Sequence, residues 1–88
     1  MITMATEKRA IDEREAAVEF DGRWLLLDKN DFPPEEDMGY VIAYGSGTPE
    51  DRDTLMRINL DQYDGDLRLM KGYTPKDEVY DCGIIEEV

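Results

Sequence analysis

The sequence contains no histidine and a single cysteine, and both scarcities exclude classes of chemistry. Without histidine, the usual general base near neutral pH and every Ser-His or Cys-His nucleophile arrangement are absent. Cys82 has no second cysteine for an internal disulfide and no histidine for a zinc site of the usual kind. The acids Asp81, Glu86 and Glu87 lie close to it in sequence, and neighbouring anions disfavour the reactive thiolate. We therefore predict a protein that is not an enzyme and that uses no cofactor.

Long apolar segments are also missing. The chain has no apolar run of about 18 residues, which a membrane-spanning helix needs. Residues 1–14 lack the roughly 7 to 15 residue apolar segment of a secretory signal, so we expect a cytoplasmic protein. The aliphatic stretches 24–27 and 40–44 can still build a core. At 88 residues the chain has room for one domain, 1–88, in which we expect residues 1–8 to be flexible.

Negative charge is what the sequence has in excess: 22 acidic against 10 basic side chains give a net charge of -12. The acids are dense in residues 28–37, 50–66 and 77–87, so the acidity is spread along the chain. Binding of DNA, RNA or anionic lipid by this chain is disfavoured, because such binding needs clustered Lys and Arg. We therefore expect the partner to be a basic protein, and a homodimer formed by pairing of edge strands stays open.

Two Asp-Gly pairs, Asp21-Gly22 and Asp64-Gly65, predict hairpins, because both residue types tolerate a positive φ angle. A hairpin at Asp21-Gly22 pairs Phe20 with Arg23 and Glu19 with Trp24.

A two-residue loop at Asp64-Gly65 places Leu60 opposite Leu69 and Asp61 opposite Arg68, and it predicts a strand over 54–62. The start of that region, Thr48-Pro49-Glu50-Asp51, is instead typical of a helix N-terminus, so a helix running to about residue 60 is the competing interpretation.

The remaining segments complete a coarse plan. Adjacent prolines make residues 30–37 a loop, Met38–Tyr44 reads as a buried strand, and 79–88 reads as an extended segment. Residues 5–17 could form a helix, but their apolar positions are sparse and the choice stays open. The predicted fold is mainly β, with α+β as the alternative: a small antiparallel sheet built from hairpins with at most one or two short helices.

Asp61, Asp64 and Asp66 surround Gly65 and raise the question of a calcium loop. With Gly65 at the sixth position of an EF-hand, Leu60 and Lys71 occupy the two anchoring positions, which excludes that motif. The predicted turn explains the glycine without a ligand, so we predict no metal site.

The acidic surface is the feature that asks for a partner. Carboxylates on a rigid scaffold can occupy the Lys/Arg groove that another protein uses for DNA or RNA. The alternatives are an acidic structural or accessory domain without such mimicry and a small carboxylate-dependent enzyme. The predicted contacts are acids of the three dense stretches and two aromatic anchors: Asp31, Glu35, Glu36, Asp37, Glu50, Asp51, Asp53, Asp64, Asp66, Asp77, Glu78, Asp81, Glu86, Glu87, Phe32 and Tyr63.

Residues Ala5–Asp12, ATEKRAID, resemble the openings of short uncharacterised proteins encoded in phages and prophages of gut Firmicutes. The resemblance ends after Asp12 and carries over no site residue. It implies a phage accessory protein. Small acidic phage proteins that disarm host nucleases, including anti-CRISPR and anti-restriction proteins, are similar to this chain in size and charge.

Overall fold

Residues 1–74 are described by a computed structural model, in which one antiparallel sheet carries two helices, an α+β fold. The predicted small antiparallel sheet is confirmed, and so is the strand Met38–Tyr44. The predicted extended segment 79–88 lies outside the described residues. In chain order the elements are β1 (Thr3–Met4), β2 (Ala10–Asp12), α1 (Glu13–Glu19), β3 (Trp24–Asp28), β4 (Met38–Tyr44), α2 (Pro49–Tyr63) and β5 (Arg68–Lys71).

Each helix joins two strands that are not neighbours in the sheet, and it therefore crosses the strand that lies between them. β4 pairs with β3 on one side and with both β1 and β2 on the other, while β5 pairs with the outer side of β3. α1 therefore crosses β4 between β2 and β3, and α2 crosses β3 between β4 and β5. The strands before the two crossovers, β2 and β4, run in opposite directions, and both crossovers move across the sheet towards β5. Crossovers of the same hand therefore place α1 and α2 on opposite faces of the sheet.

Three consecutive leucines in β3 show that both faces of the sheet are covered. Leu25, Leu26 and Leu27 each have 0 % exposure. Leu25 and Leu27 pack in a core cluster with Phe20, next to α1, and Leu26 packs in a second cluster with Leu55 of α2. Successive side chains of a strand point to opposite faces, so only a strand between two layers can bury all three.

A bulge in β4 lets one strand serve both cores. Leu26 pairs with Ala43 and Leu27 with Val41, so Ile42 is an extra residue in the ladder. Val41 packs in the cluster beside α1 and Ala43 in the cluster beside α2. Residues two apart in a regular strand share a face, and the extra residue removes that restriction.

The region 49–63 is a helix, so the predicted strand over 54–62 was wrong and the competing helix was right. The Thr48 side chain accepts the N–H of Asp51 at 3.2 Å, and Pro49 occupies the first turn. The alternating apolar residues Met56, Ile58 and Leu60 gave the misleading strand pattern.

Polar Asn59 occupies an inward position of α2 and weakened the helical signal. Its amide donates to the Leu67 carbonyl at 3.0 Å and accepts the Leu67 N–H at 2.9 Å. Both residues are buried. Asn59 thus satisfies the backbone of the residue just before β5, where no strand neighbour is paired with it.

Both predicted Asp-Gly hairpins were wrong. The expected positive φ angle is present at both residues of the second pair, but in the first pair only Gly22 has one. Asp64 (φ 55°) and Gly65 (φ 76°) end α2, and the Gly65 N–H bonds to the Asn59 carbonyl at 2.9 Å. Gly22 (φ 72°) lies between α1 and β3. The Asp-Gly signal marks a positive φ angle, and a helix end uses it as readily as a hairpin does.

The strand pairings that depended on those hairpins are wrong as well. The Arg23 N–H bonds to the Phe20 carbonyl at 2.9 Å, as in a turn, but Glu19 and Phe20 form the end of α1 and no strand pairing with Arg23 and Trp24 follows. Asp61 lies on α2 instead of opposite Arg68, whose Nε approaches a Glu13 carboxylate oxygen at 3.5 Å.

The helix left open over 5–17 is realised only from Glu13, because residues 10–12 pair with β4. Asp12 ends that strand and caps α1, since its side chain accepts the Arg14 N–H at 2.7 Å.

Three glycines from distant parts of the chain meet beyond the ends of β3 and β4. The Gly22 N–H bonds to the Gly72 carbonyl at 3.0 Å. A Cβ atom on Gly47 would overlap the Gly22 carbonyl oxygen, and one on Gly72 would overlap the Phe20 carbonyl oxygen. We call this contact of Gly22, Gly47 and Gly72 the glycine crossing.

Candidate functional site

Four segments of the chain meet at one end of the molecule, and three of them carry the acidic side chains described next. The end of β3, the loop 29–37, the start of α1 and the turn 64–66 before β5 all meet there. We define the acidic end by Asp28, Asp31, Glu35, Glu36, Asp37, Asp64 and Asp66. All of these residues except half-buried Asp28 are exposed. Six of the predicted contact residues thus lie together.

The side chain of Asn30 joins the two acidic segments. Its amide nitrogen donates to Asp28 and to Asp66, each at 2.9 Å, and its backbone N–H also bonds to Asp28 at 3.0 Å. A neutral donor therefore holds a carboxylate from the end of β3 beside one from the turn before β5. Within residues 1–74 neither carboxylate has an ion-pair partner, whereas a lysine or arginine in the place of Asn30 would neutralise one of them.

The cations nearest the acidic end are mostly bound to Glu13. Lys29 donates to Glu13 and to the Met38 carbonyl, and Arg68 approaches the other Glu13 oxygen. Lys8 lies 4.0 Å from Asp31, and both side chains are largely exposed. Within residues 1–74, no ion pair reaches Glu35, Glu36, Asp37, Asp64 or Asp66.

The predicted contacts at the start of α2 lie at the other end of the sheet. Glu50 and Asp53 are exposed there, and Asp53 pairs with Arg52 at 3.2 Å. They do not join the acidic end, because α2 is 15 residues long and runs towards it.

Asp51 corrects the prediction, because it is buried at 7 % exposure and therefore not available as a surface contact. Its carboxylate accepts bonds from the Met1 ammonium at 2.8 Å and from the Ser46 N–H and hydroxyl, each at 2.7 Å. The ammonium bond and then the two Ser46 bonds lower the pKa of Asp51 to about 2. Ser46, in the segment Gly45-Ser46-Gly47, thus positions this carboxylate.

Of the two predicted aromatic anchors, neither is freely exposed. The Phe32 ring lies 5.0 Å from the Tyr40 ring, and Tyr63 packs against the core cluster beside α2. The apolar residues that are exposed on α2 are Met56 and Leu60, which were not predicted. Their spacing of four residues would have revealed them once the helix start at Thr48 was accepted.

The predicted contacts in the C-terminal stretch lie outside the described residues, as does Cys82. They are Asp77, Glu78, Asp81, Glu86 and Glu87.

The opposite end of the sheet holds cations over aromatic rings. Lys71 and Arg52 lie 5.8 and 6.0 Å from the centre of the Trp24 ring. Arg23 lies 5.1 Å from the Tyr44 ring, and its Nε donates to the Gly45 carbonyl at 3.1 Å. We define the cation-aromatic end by Arg23, Trp24, Tyr44, Arg52 and Lys71. No sequence signal predicted it, because the residues come from four separate elements.

Two grooves lie on the surface formed by residues 1–74. One, of about 370 Å³, lies between α1 and β5 and is lined by Glu13, Arg14, Val18 and Met70 among others. The other, of about 430 Å³, lies under residues 3–9. In the first groove Glu13 is already bound to Lys29 and Arg68, so it serves as an ion-pair partner.

No group of three or more Asp, Glu, Cys or His side chains in residues 1–74 is arranged to hold a metal ion. No helix in that part of the chain combines the length and the apolar character needed to cross a bilayer.

Comparisons with known proteins give no relative: no family model matches the chain, and neither the curated proteins nor the solved structures contain a match.

Proposed function

We propose that this chain is a non-catalytic binding module whose acidic end occupies a basic groove that a partner protein uses for DNA or RNA. The observation that supports the proposal is the Asn30 bridge, which presents Asp28 and Asp66 together without a compensating cation from residues 1–74. The proposed partner is therefore a protein, and its groove is rich in Lys and Arg.

The geometry of the acidic end suits a charged groove. Asp28 ends β3 and Asp66 precedes β5, and these neighbouring strands are about 5 Å apart. Their carboxylates thus form a closely spaced pair on a fixed backbone, as phosphates do on a nucleic-acid strand. Charge-assisted hydrogen bonds from Arg or Lys of the partner would replace the single neutral amide.

Electrostatics supports the same proposal at longer range. The net charge of -12 attracts a basic surface from a distance and raises the association rate, an effect that salt screens over about 8 Å. In its finer form, the proposal is a phage-encoded inhibitor of the anti-CRISPR or anti-restriction type that acts in the host cytoplasm. Size, acidity and the resemblance of residues 5–12 support that finer form.

The test is affinity capture on the immobilised chain, followed by competition with the purified partner. We expect the captured protein to be basic, to lose affinity as salt rises, and to be displaced by its own nucleic acid. A partner that binds the chain and nucleic acid simultaneously would overturn charge mimicry.

Two charge-matched variants locate the contact. The first, Glu35→Gln/Glu36→Gln/Asp66→Asn, removes three charges at the acidic end, and the second, Glu7→Gln/Glu15→Gln/Glu50→Gln, removes three elsewhere. We expect the first variant to weaken binding at least about tenfold more than the second, since direct charge pairs contribute more than distant charges. Equal losses would indicate that only the net charge matters and would remove the acidic end as the site.

A further inference from the structure

The outer face of α2 carries an apolar pair between acids. Met56 and Leu60 are 45 % and 59 % exposed, and they lie one helical turn apart. Asp53 precedes the pair by three residues, and Asp61 and Asp64 follow it, all exposed. Single exposed apolar residues are ordinary on protein surfaces, but an adjacent pair within an acidic rim has the layout of an interface.

This face adjoins the acidic end. The Leu60 side chain lies 3.5 Å from the position that a Cβ atom of Gly65 would occupy, so it covers the turn that carries Asp64 and Asp66. The apolar pair and the acidic end therefore form one continuous surface. Leu60 is its link, because it lies on α2 and against the turn.

We propose that Met56 and Leu60 are the apolar anchors of the same interface, and that the partner presents an apolar patch bordered by Lys and Arg. This inference rests on the proposed function. It replaces the anchors expected from sequence, Phe32 and Tyr63, which pack against the protein itself. Apolar anchors at the centre of an interface commonly carry much of the affinity, while charged rims govern specificity and association rate.

A second copy of this chain is a poor occupant of the face. In a symmetric pair of α2 helices, the acids Asp53, Asp61 and Asp64 of both copies would approach one another. The net charge of -12 per chain adds repulsion between the copies. Charge complementarity therefore favours a basic partner.

Two synthetic peptides of identical composition serve as defined probes. In the first, leucines spaced three and four residues apart form one face of a lysine-rich helix, and in the second the same residues are permuted so that no apolar face exists. Dissociation constants are measured by fluorescence anisotropy with the full chain. We expect the first peptide to bind about tenfold more tightly than the second, because only its leucines can contact Met56 and Leu60.

The decisive variant is Met56→Gln/Leu60→Gln, which retains residues of similar helix propensity. We expect it to bind both peptides equally, at the affinity of the permuted peptide. The matched control is Val18→Gln, which removes an apolar side chain of 51 % exposure from α1, on the opposite face of the sheet. This control should leave both affinities unchanged, and a thermal melt confirms that each variant is folded.

The outcomes separate the inference from the proposed function. If both peptides bind equally to the unmodified chain, and only the Glu35→Gln/Glu36→Gln/Asp66→Asn variant weakens them, the apolar anchor is overturned while the acidic site stands. If that charge variant changes neither affinity, the acidic site itself fails. If sedimentation shows a dimer that the Met56→Gln/Leu60→Gln variant dissociates, the face joins two copies and the inference is overturned.

Discussion

The two ends of the sheet differ in the sign of their charged side chains and in the groups that these side chains contact. At the acidic end, carboxylates are held by the neutral amide of Asn30, and the nearby Lys29 and Arg68 are bound to Glu13. At the cation-aromatic end, Arg23, Arg52 and Lys71 lie over aromatic rings. An excess of acids does not by itself make a binding surface. What distinguishes the acidic end is that, among residues 1–74, Asp31 is the one acid there with an ion-pair partner.

The comparison also separates acids that we propose to contact a partner from acids that have a structural role. Glu50 and Asp51 have the same charge as Glu35 and Glu36, but they lie at the first turn of α2, where the helix dipole favours an anion. Asp51 is buried in hydrogen bonds as well. We therefore expect the acids in the first turn of α2 to stabilise the fold, and the exposed acids of the acidic end to lower its stability through mutual repulsion.

The largest effect is expected from Asn59→Ala, which removes the anchor of the turn at the acidic end. The buried N–H and carbonyl of Leu67 would both lose their partners, at a cost of about 2–4 kcal/mol in the free energy of unfolding. Urea denaturation measures it. Gln62→Ala, at an exposed position on the same helix, is the control and should stay within about 0.5 kcal/mol. A loss for Asn59→Ala as small as the control's would contradict the structural role.

The second prediction concerns Asp51 and pH. Its pKa falls from an ordinary 3.8 to about 2 on folding, because the Met1 ammonium and Ser46 bond to its carboxylate. The stabilisation is present above the unfolded value of 3.8 and disappears as pH falls towards 2. Asp51→Asn should therefore be less stable than the unmodified chain at neutral pH, and the difference between their melting temperatures should shrink across that window.

The matched substitution for this pH experiment is Asp53→Asn, because Asp53 is exposed and its one ion-pair partner among residues 1–74 is Arg52. Its difference from the unmodified chain should stay small throughout. A difference for Asp51→Asn that is constant between pH 4 and 2 would show that the carboxylate is not held as described.

The third prediction tests the cation-aromatic end. Replacing Lys71 or Arg52 by Met should cost about 0.5–1 kcal/mol each, because each cation lies over the Trp24 ring. Trp24 is the single tryptophan of the chain, so its fluorescence emission reports directly on both changes. Arg57→Met is the control, since no aromatic ring in residues 1–74 faces Arg57. Unchanged emission in the two test variants would refute the contact of Lys71 and Arg52 with the Trp24 ring.

The smallest effect comes from removing one charge at each end. Glu36→Gln should raise the free energy of unfolding at low salt by a few tenths of a kcal/mol, roughly the size of an exposed charge interaction, because repulsion falls. Glu50→Gln should lower it by about 0.3–1 kcal/mol, because Glu50 lies in the first turn of α2. Both changes should shrink in high salt. Effects of the same sign would erase the difference between the ends.

The sequence predicted those parts of the fold that depend on local chemistry. Met38–Tyr44 was recognisable because its apolar run is bounded by acids and glycines, and the start of α2 because Thr48 and Pro49 are strong initiating residues. The extent of α2 was not recognisable. Its inward position 59 is polar because Asn59 bonds to the backbone of Leu67, a contact that exists only in the folded tertiary structure.

The site was predicted in composition and only partly in place. The acids 31–37 and 64–66 were expected as contacts, but their meeting depends on the pairing of β3 with β5, which no local pattern encodes. Asp51 looked equivalent to its neighbours in sequence, since nothing local indicates that the Met1 ammonium lies beside it. The anchors Met56 and Leu60 were hidden by the mistaken strand.

The glycine crossing has a consequence for the order of folding. Gly47 is 25 residues from both Gly22 and Gly72, which are themselves 50 residues apart, so every contact among the three closes a long loop. The Asn30 bridge to Asp28, by contrast, spans two residues. Contacts of high sequence separation form slowly, and we expect the crossing to form only after β3, β4 and β5 have paired. A bulky substitution at Gly47 should therefore act mainly on the last step of folding, in which the chain backbones close against one another.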